Sequence, residues 1–167
     1  SHSTKQQVTE AAAQVAGYRE TGIETANAIR SMVDVSEQMA RVIAQGTNTS
    51  FMEVVKLDHI VFKLDIYKAF IGYHTLNPDQ VSSHRHCRLG KWYFEGRGHH
   101  ECRGSHAYTQ LDAPHERVHE QGRQALQAFY SGDFDRATRA LKEMERASVE
   151  VMELLTSMET TPCQHKV

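Results

Sequence analysis

The chain has 167 residues, with 19 Lys and Arg against 21 Asp and Glu, for a net charge of -2 with histidine neutral. That length supports one domain with a real core, and the near-balanced charge gives no strong field to draw in nucleic acid or a membrane surface. The charge balance thus predicts no nucleic-acid partner, and since no apolar run reaches the roughly 20 residues of a membrane span, no membrane insertion is expected either. Ten Gly and three Pro are few breakers for a chain rich in Ala, Glu, Leu, Met, Gln, Arg and Lys, which predicts an all-α protein. There is no initiator Met and no signal peptide. Ser1-His2 reads as a cloning remnant and the chain as a fragment. Cys87, Cys102 and Cys163 are an odd number, too few and too scattered for a disulfide framework, which predicts a reducing compartment. Histidine is the unusual residue: there are eleven, and seven fall between His84 and His119.

Residues 8–45 predict one long helix, because Val8, Ala12, Val15, Ile23, Ala26, Ile29, Val33, Ala40 and Ile43 recur at helical steps. The stripe is narrow and the other face is charged. This pattern suits a coiled-coil strand better than a helix folded onto its own domain. Gly46 to Ser50 interrupts it. Ser50 with Glu53 would make a capping box for a new helix, and a minor perturbation of one continuous helix is the alternative. From Phe51 to His74 the apolar face widens, with Met52, Val55, Leu57, Ile60, Val61, Phe62, Leu64, Ile66 and Phe70 among its members, predicting a helix buried on most sides. Asn77-Pro78-Asp79 ends it. Ser82 or Ser83 is the expected cap of a short helix carrying His84, His86, Cys87, Leu89, Trp92, Tyr93 and Phe94. Residues 96–104 read as a glycine-broken polar loop. Two antiparallel helices follow, over 108–130 and 134–158, with Gly132 as a left-handed C-terminal cap and Asp133 as N-cap between them. Their expected inward residues are Leu111, Val118, Leu126 and Phe129, then Phe134, Ala137, Leu141, Met144, Val151, Leu154 and Leu155.

Chemistry concentrates in the His and Cys residues. His115 and His119 stand four apart and share one helix face, although most such pairs are surface histidines. His59 lies among Leu57, Ile60 and Phe62, where a lone core histidine is more often hydrogen-bonded than metal-bound. Cys87, beside Leu89 and Trp92, has a plain reading as a small buried residue. Taken together, three helices would each bring an imidazole or thiol to the interior. One thiolate with three imidazoles suits tetrahedral zinc, and far less magnesium or calcium. Four protein ligands would close the shell and leave no bound water for hydrolysis, so a structural or sensory site is expected, not an enzyme. Asp58 and Glu116 flank two of these residues but point elsewhere by helical adjacency. Asp112 or Asp65 is as plausible an outer partner. Cys102 with His99 or His106 is a minor alternative pairing, because a glycine-rich loop is a poor pre-formed cage.

Cys87-Arg88-Leu89-Gly90-Lys91-Trp92-Tyr93 resembles the Cys-x-Leu-Gly-x-Trp-Tyr signature of the bacterial chemoreceptor zinc-binding domain. The resemblance extends to Asp58-His59 upstream and to the His115–His119 pair downstream, over about residues 51–158. It implies an antiparallel four-helix bundle with a short extra helix carrying the Cys motif, and a zinc ion on His59, Cys87, His115 and His119. It also implies a homodimer. Members of that family are attached to methyl-accepting chemoreceptor signalling domains or to diguanylate cyclases. The implied organisation is residues 1–48 as the end of a signalling coiled coil, 51–159 as the zinc-binding bundle and 160–167 as a flexible tail. The implied setting is a soluble cytoplasmic chemoreceptor acting through its kinase and coupling protein, and sensing oxidant (hypochlorous acid) or zinc at Cys87. A regulatory domain of a diguanylate cyclase, or a purely structural dimerisation bundle, are the alternatives.

Overall fold

The computed structural model describes residues 2–161 and 163, with the side chains of 2, 36, 37, 40, 41, 44, 45 and 48 outside that description. The structure is all-α, as the composition predicts. Its helices are α1 (His2–Phe70), α2 (Arg88–Phe94), α3 (Arg97–Glu101), α4 (His106–Tyr130) and α5 (Phe134–Thr160), with a 3-10 turn at Pro78–Gln80. The chain divides into two compact units, 1–44 and 45–167.

The first unit is helical. Its described apolar residues are exposed, with Val8, Val15, Ile23, Ile29 and Val33 each more than half accessible. The expected stripe residue Ala40, with Glu37 and Arg41 of the opposite face, lies outside the described side chains.

The second unit is a helical bundle. The helix runs through 46–50 without a break. Ser50 caps nothing; its Oγ donates back to the Gly46 carbonyl at 2.8 Å, the bond a mid-helix serine makes when it is not at an N-terminus. Met52, Val55, Ile66 and Ala69 point inward from α1 and meet Leu111, Val118 and Leu126 of α4 and Met144, Val151, Leu155 and Met158 of α5. Polar links fix α1 against α5: Lys56 pairs with Glu159 at 2.8 Å, Lys63 pairs with Glu145 at 2.9 Å, and the Tyr67 hydroxyl donates to Glu145 at 2.7 Å. Phe70 stacks on Phe129 of α4 at 4.4 Å. The turn between α4 and α5 is as expected, with Gly132 at φ 78° and the Asp133 side chain accepting from the Arg136 N–H.

Four expectations fail locally. The wide apolar face of 51–71 is two faces. Val54, Leu57, Ile60, Val61 and Leu64 are 38–58% exposed, because the bundle covers only one side of this helix. Phe134 is 62% exposed, since it opens α5 beyond the end of the core. The short helix begins at Arg88, so neither Ser82 nor Ser83 caps it. Residues 97–101 form α3 where a loop was expected. Gly98 within α3 sits directly under the Trp92 ring, where any Cβ would come within 2.6 Å of it, so the glycine permits close packing here and does not break the chain. Of the expected tail, residues 162 and 164–167 lie outside the described residues.

Candidate metal centre

The site is assembled by three elements that the core already fixes. α1 contributes His59, four residues after the buried Val55. α4 contributes His115 and His119 on the face that also carries Leu111, Val118 and Gly122. Gly122 leaves room for Phe62, whose ring packs on His119 at 4.5 Å; a Cβ there would lie 3.1 Å from the Phe62 ring. The third element is the start of α2, where Cys87 is the N-cap and its Sγ accepts from the Gly90 N–H at 3.4 Å. α2 is held by Arg88 to Asp58 of α1 at 2.9 Å, and by Tyr93 stacked on Tyr108 of α4 at 4.1 Å.

The structure brings His59, Cys87, His115 and His119 together, with one ligand atom of each within 4.8 Å of all the others. The three histidines are buried and Cys87 is half-buried. Two rings are oriented from behind: His59 Nδ1 lies 2.7 Å from the Val55 carbonyl, and His119 Nδ1 lies 2.7 Å from the Ser82 carbonyl. A carbonyl can only accept, so each Nδ1 carries the proton and each Nε2 presents a lone pair. Both Nε2 atoms are buried with no hydrogen-bond partner. Leaving two such acceptors dry costs free energy that a cation between them would recover. His115 Nε2 sits 3.3 Å from Cys87 Sγ. The donor set therefore fits a metal ion, and its one thiol and three imidazoles are of the borderline-soft kind.

Burial also prepares the ligands. It lowers the pKa of His115 to about 2 and of His119 to about 4, with the neighbouring histidines adding to the effect, and it lowers His59. The imidazoles are thus neutral, the form that binds metal. Burial pushes the Cys87 thiol up, against the pull of the Gly90 and Leu89 N–H groups, so without a nearby cation the sulfur keeps its proton.

A pH dependence follows. A histidine whose folded pKa is depressed favours the folded state above its ordinary pKa of 6.5, and that contribution is lost as pH falls toward the folded value. For His119, with a folded value of about 4, the loss between neutral pH and pH 4 is about 3 kcal/mol. The metal-free protein is therefore expected to show a midpoint of urea unfolding that drops steeply from pH 7 to pH 4. A flat profile over that range would contradict the burial of neutral imidazoles.

Of the residues proposed as outer partners, Asp65 pairs with Lys68, Asp112 lies 3.5 Å from His84 Nε2, and Asp58 holds Arg88. The acceptors behind His59 and His119 are backbone carbonyls, which leave no mark in a sequence. His84 is a further neighbour of the site, with its ring 5.7 Å from that of His115. Cys102 belongs to neither a metal site nor a free thiol. It is disulfide-bonded to Cys163, although the two are 61 residues apart in sequence. The cysteine count therefore gives no support to a reducing compartment.

The fold and the site define a class: a helical bundle with a buried cluster of three imidazoles and one thiol able to hold a metal. Residues 59–126 match the family model of the chemoreceptor zinc-binding domain, a match that opens on His59 and takes in Cys87, His115 and His119. This stretch of the chain is similar to that domain family. No curated protein and no solved structure matches the chain. Among the described residues no helix is long and apolar enough to cross a membrane.

Proposed function

We propose that this chain is a regulatory, non-catalytic zinc sensor module of a cytoplasmic bacterial chemoreceptor, with His59, Cys87, His115 and His119 as the zinc ligands and Cys87 as the responsive one. The observation that carries the reading is the pair of anchored imidazoles, His59 and His119, whose free Nε2 atoms converge with His115 and Cys87 within 4.8 Å. Bound zinc supplies a positive charge that holds the Cys87 sulfur as thiolate. The thiolate is the nucleophile toward oxidants. With hypochlorous acid, the sulfur takes the chlorine and releases hydroxide; water then displaces chloride to leave a sulfenic acid. Sulfenate is a poorer ligand. Because Cys87 is also the N-cap of α2, its oxidation disturbs the Gly90 N–H bond and the start of that helix. Arg88 carries the disturbance to Asp58, beside His59 on α1.

The module acts as a homodimer in this reading. Val54, Leu57, Val61 and Leu64 are exposed on α1 at alternating steps of three and four, the spacing of a helix seam that a second copy covers. Residues 1–48 are the end of a signalling coiled coil, 51–159 the zinc-binding bundle, and the signal passes to the chemotaxis kinase and its coupling protein through the intact receptor. The test joins three measurements on the purified protein. Elemental analysis should give about one zinc per chain, as a structural tetrahedral site requires. Sedimentation should give a dimer. Hypochlorous acid should release zinc in step with loss of the Cys87 thiol. Zinc absent from the protein, or retained when Cys87 is fully oxidised, would sink the sensor reading, and a monomer would sink the seam.

A further inference from the structure

A second sulfur site lies outside the metal cluster. Cys102 is the C-cap of α3 and is 3% exposed; Cys163 lies just past α5, half-buried against the same hydrophobic cluster, and the two are disulfide-bonded. The bond joins two elements that the fold holds by different means. α3 rests on α2 through Gly98 beneath Trp92. The end of α5 rests on α1 through buried Met158 and the Lys56–Glu159 pair. Cys87, the third cysteine, is committed elsewhere, at hydrogen-bond distance from His115 Nε2 and the Gly90 N–H.

We infer that Cys102 and Cys163 are a thiol–disulfide exchange site that takes low-molecular-weight disulfides, and that its oxidised form straps α3 to the end of α5 independently of Cys87. The difference in burial sets the order of attack. Cys163 is the more exposed of the two residues. Its thiolate attacks a small disulfide R–S–S–R, forming Cys163–S–S–R and expelling R–S⁻, which takes up the proton that Cys163 lost. Cys102 then gives its proton to solvent and displaces the second R–S⁻, which is protonated in turn. Two electrons pass from the protein sulfurs to the small disulfide, which ends as two thiols. The reverse exchange with excess thiol reopens the strap. In the open form the last turn of α5 keeps only its own packing, so it exchanges its amides faster.

The test is equilibration of the full chain in glutathione buffers of increasing disulfide fraction, followed by acid quench, alkylation and proteolytic mapping. A cross-linked Cys102–Cys163 peptide should rise with disulfide fraction while Cys87 stays alkylatable. Amide exchange over residues 155–161 should be on the order of tenfold faster in the reduced form, the size expected where a local opening is no longer tethered. Cys102→Ser should accumulate a Cys163–glutathione adduct that the unaltered protein does not hold. Cys163→Ser should leave the buried Cys102 unmodified. Cross-linking of Cys87 to either partner, or both thiols remaining alkylatable in the most oxidising buffer, would overturn the inference. So would equal exchange in the two forms. The mapping of the unaltered protein needs no metal and no variant, so it stands apart from the fate of the zinc reading.

Discussion

Replacing His119 by Ala should weaken zinc binding on the order of a hundredfold or more, while His100→Ala should change it no more than about twofold. The first figure is a floor: loss of a partner that merely orients a ligand already costs 10–100-fold, and His119 offers the ligand atom itself. Its Nδ1 is held by the Ser82 carbonyl and its Nε2 is left bare and buried, so the ring is already set in place to offer that atom. His100 is exposed at the end of the short α3, and surface substitutions of that kind stay within about 0.5 kcal/mol. Competition with a chromophoric chelator measures both. Cys87→Ala should lose affinity to a similar degree and, unlike His119→Ala, should remove the thiol on which the proposed oxidant-triggered release would depend. Equal affinities for the His119 and His100 variants would show that the cluster is a set of buried neutral histidines with no metal role.

What the sequence makes legible here is side-chain chemistry at helical spacing. His115 and His119 share a face because four residues make about one turn. Cys87 is marked by the glycine and aromatic residues that follow it. The structure brings both together with His59. Backbone atoms are not legible in this way: nothing in the residue types at 55 and 82 announces that their carbonyls orient two imidazoles. Distance along the chain hides the other feature. Cys102 and Cys163 look scattered because 61 residues separate them, and only the return of α5 past α3 makes them neighbours. The width of an apolar face is ambiguous for a further reason. Leu57, Val61 and Leu64 are as hydrophobic as Val55 and Ile66, and hydrophobicity alone does not say whether a side chain is covered by its own chain or left open.

Gly90 is where the motif's spacing becomes a mechanical requirement. A Cβ at this position would overlap the His84 carbonyl oxygen and lie 2.7 Å from the Arg85 carbonyl group. Both obstacles are backbone, so neither can swing aside as a flexible side chain would. Gly90→Ala must therefore push the start of α2 away from 84–85. The Gly90 N–H is also the donor that holds Cys87 Sγ, so the same displacement moves the thiol away from His115. Overpacking of this kind costs typically 1–3 kcal/mol. The added effect on the site should be a fall in zinc affinity of about tenfold or more, comparable with loss of an outer partner. Gly104→Ala is the matched comparison: no atom lies within 4 Å of its added Cβ, and its backbone does not occupy the left-handed region. That variant should melt within a few degrees of the unaltered protein and bind zinc equally well, since a surface change without a clash is worth about 0.5 kcal/mol. Thermal melts and zinc titrations of the two glycine variants side by side decide it. If Gly90→Ala keeps full affinity, the approach of α2 to residues 84–85 does not set the position of Cys87.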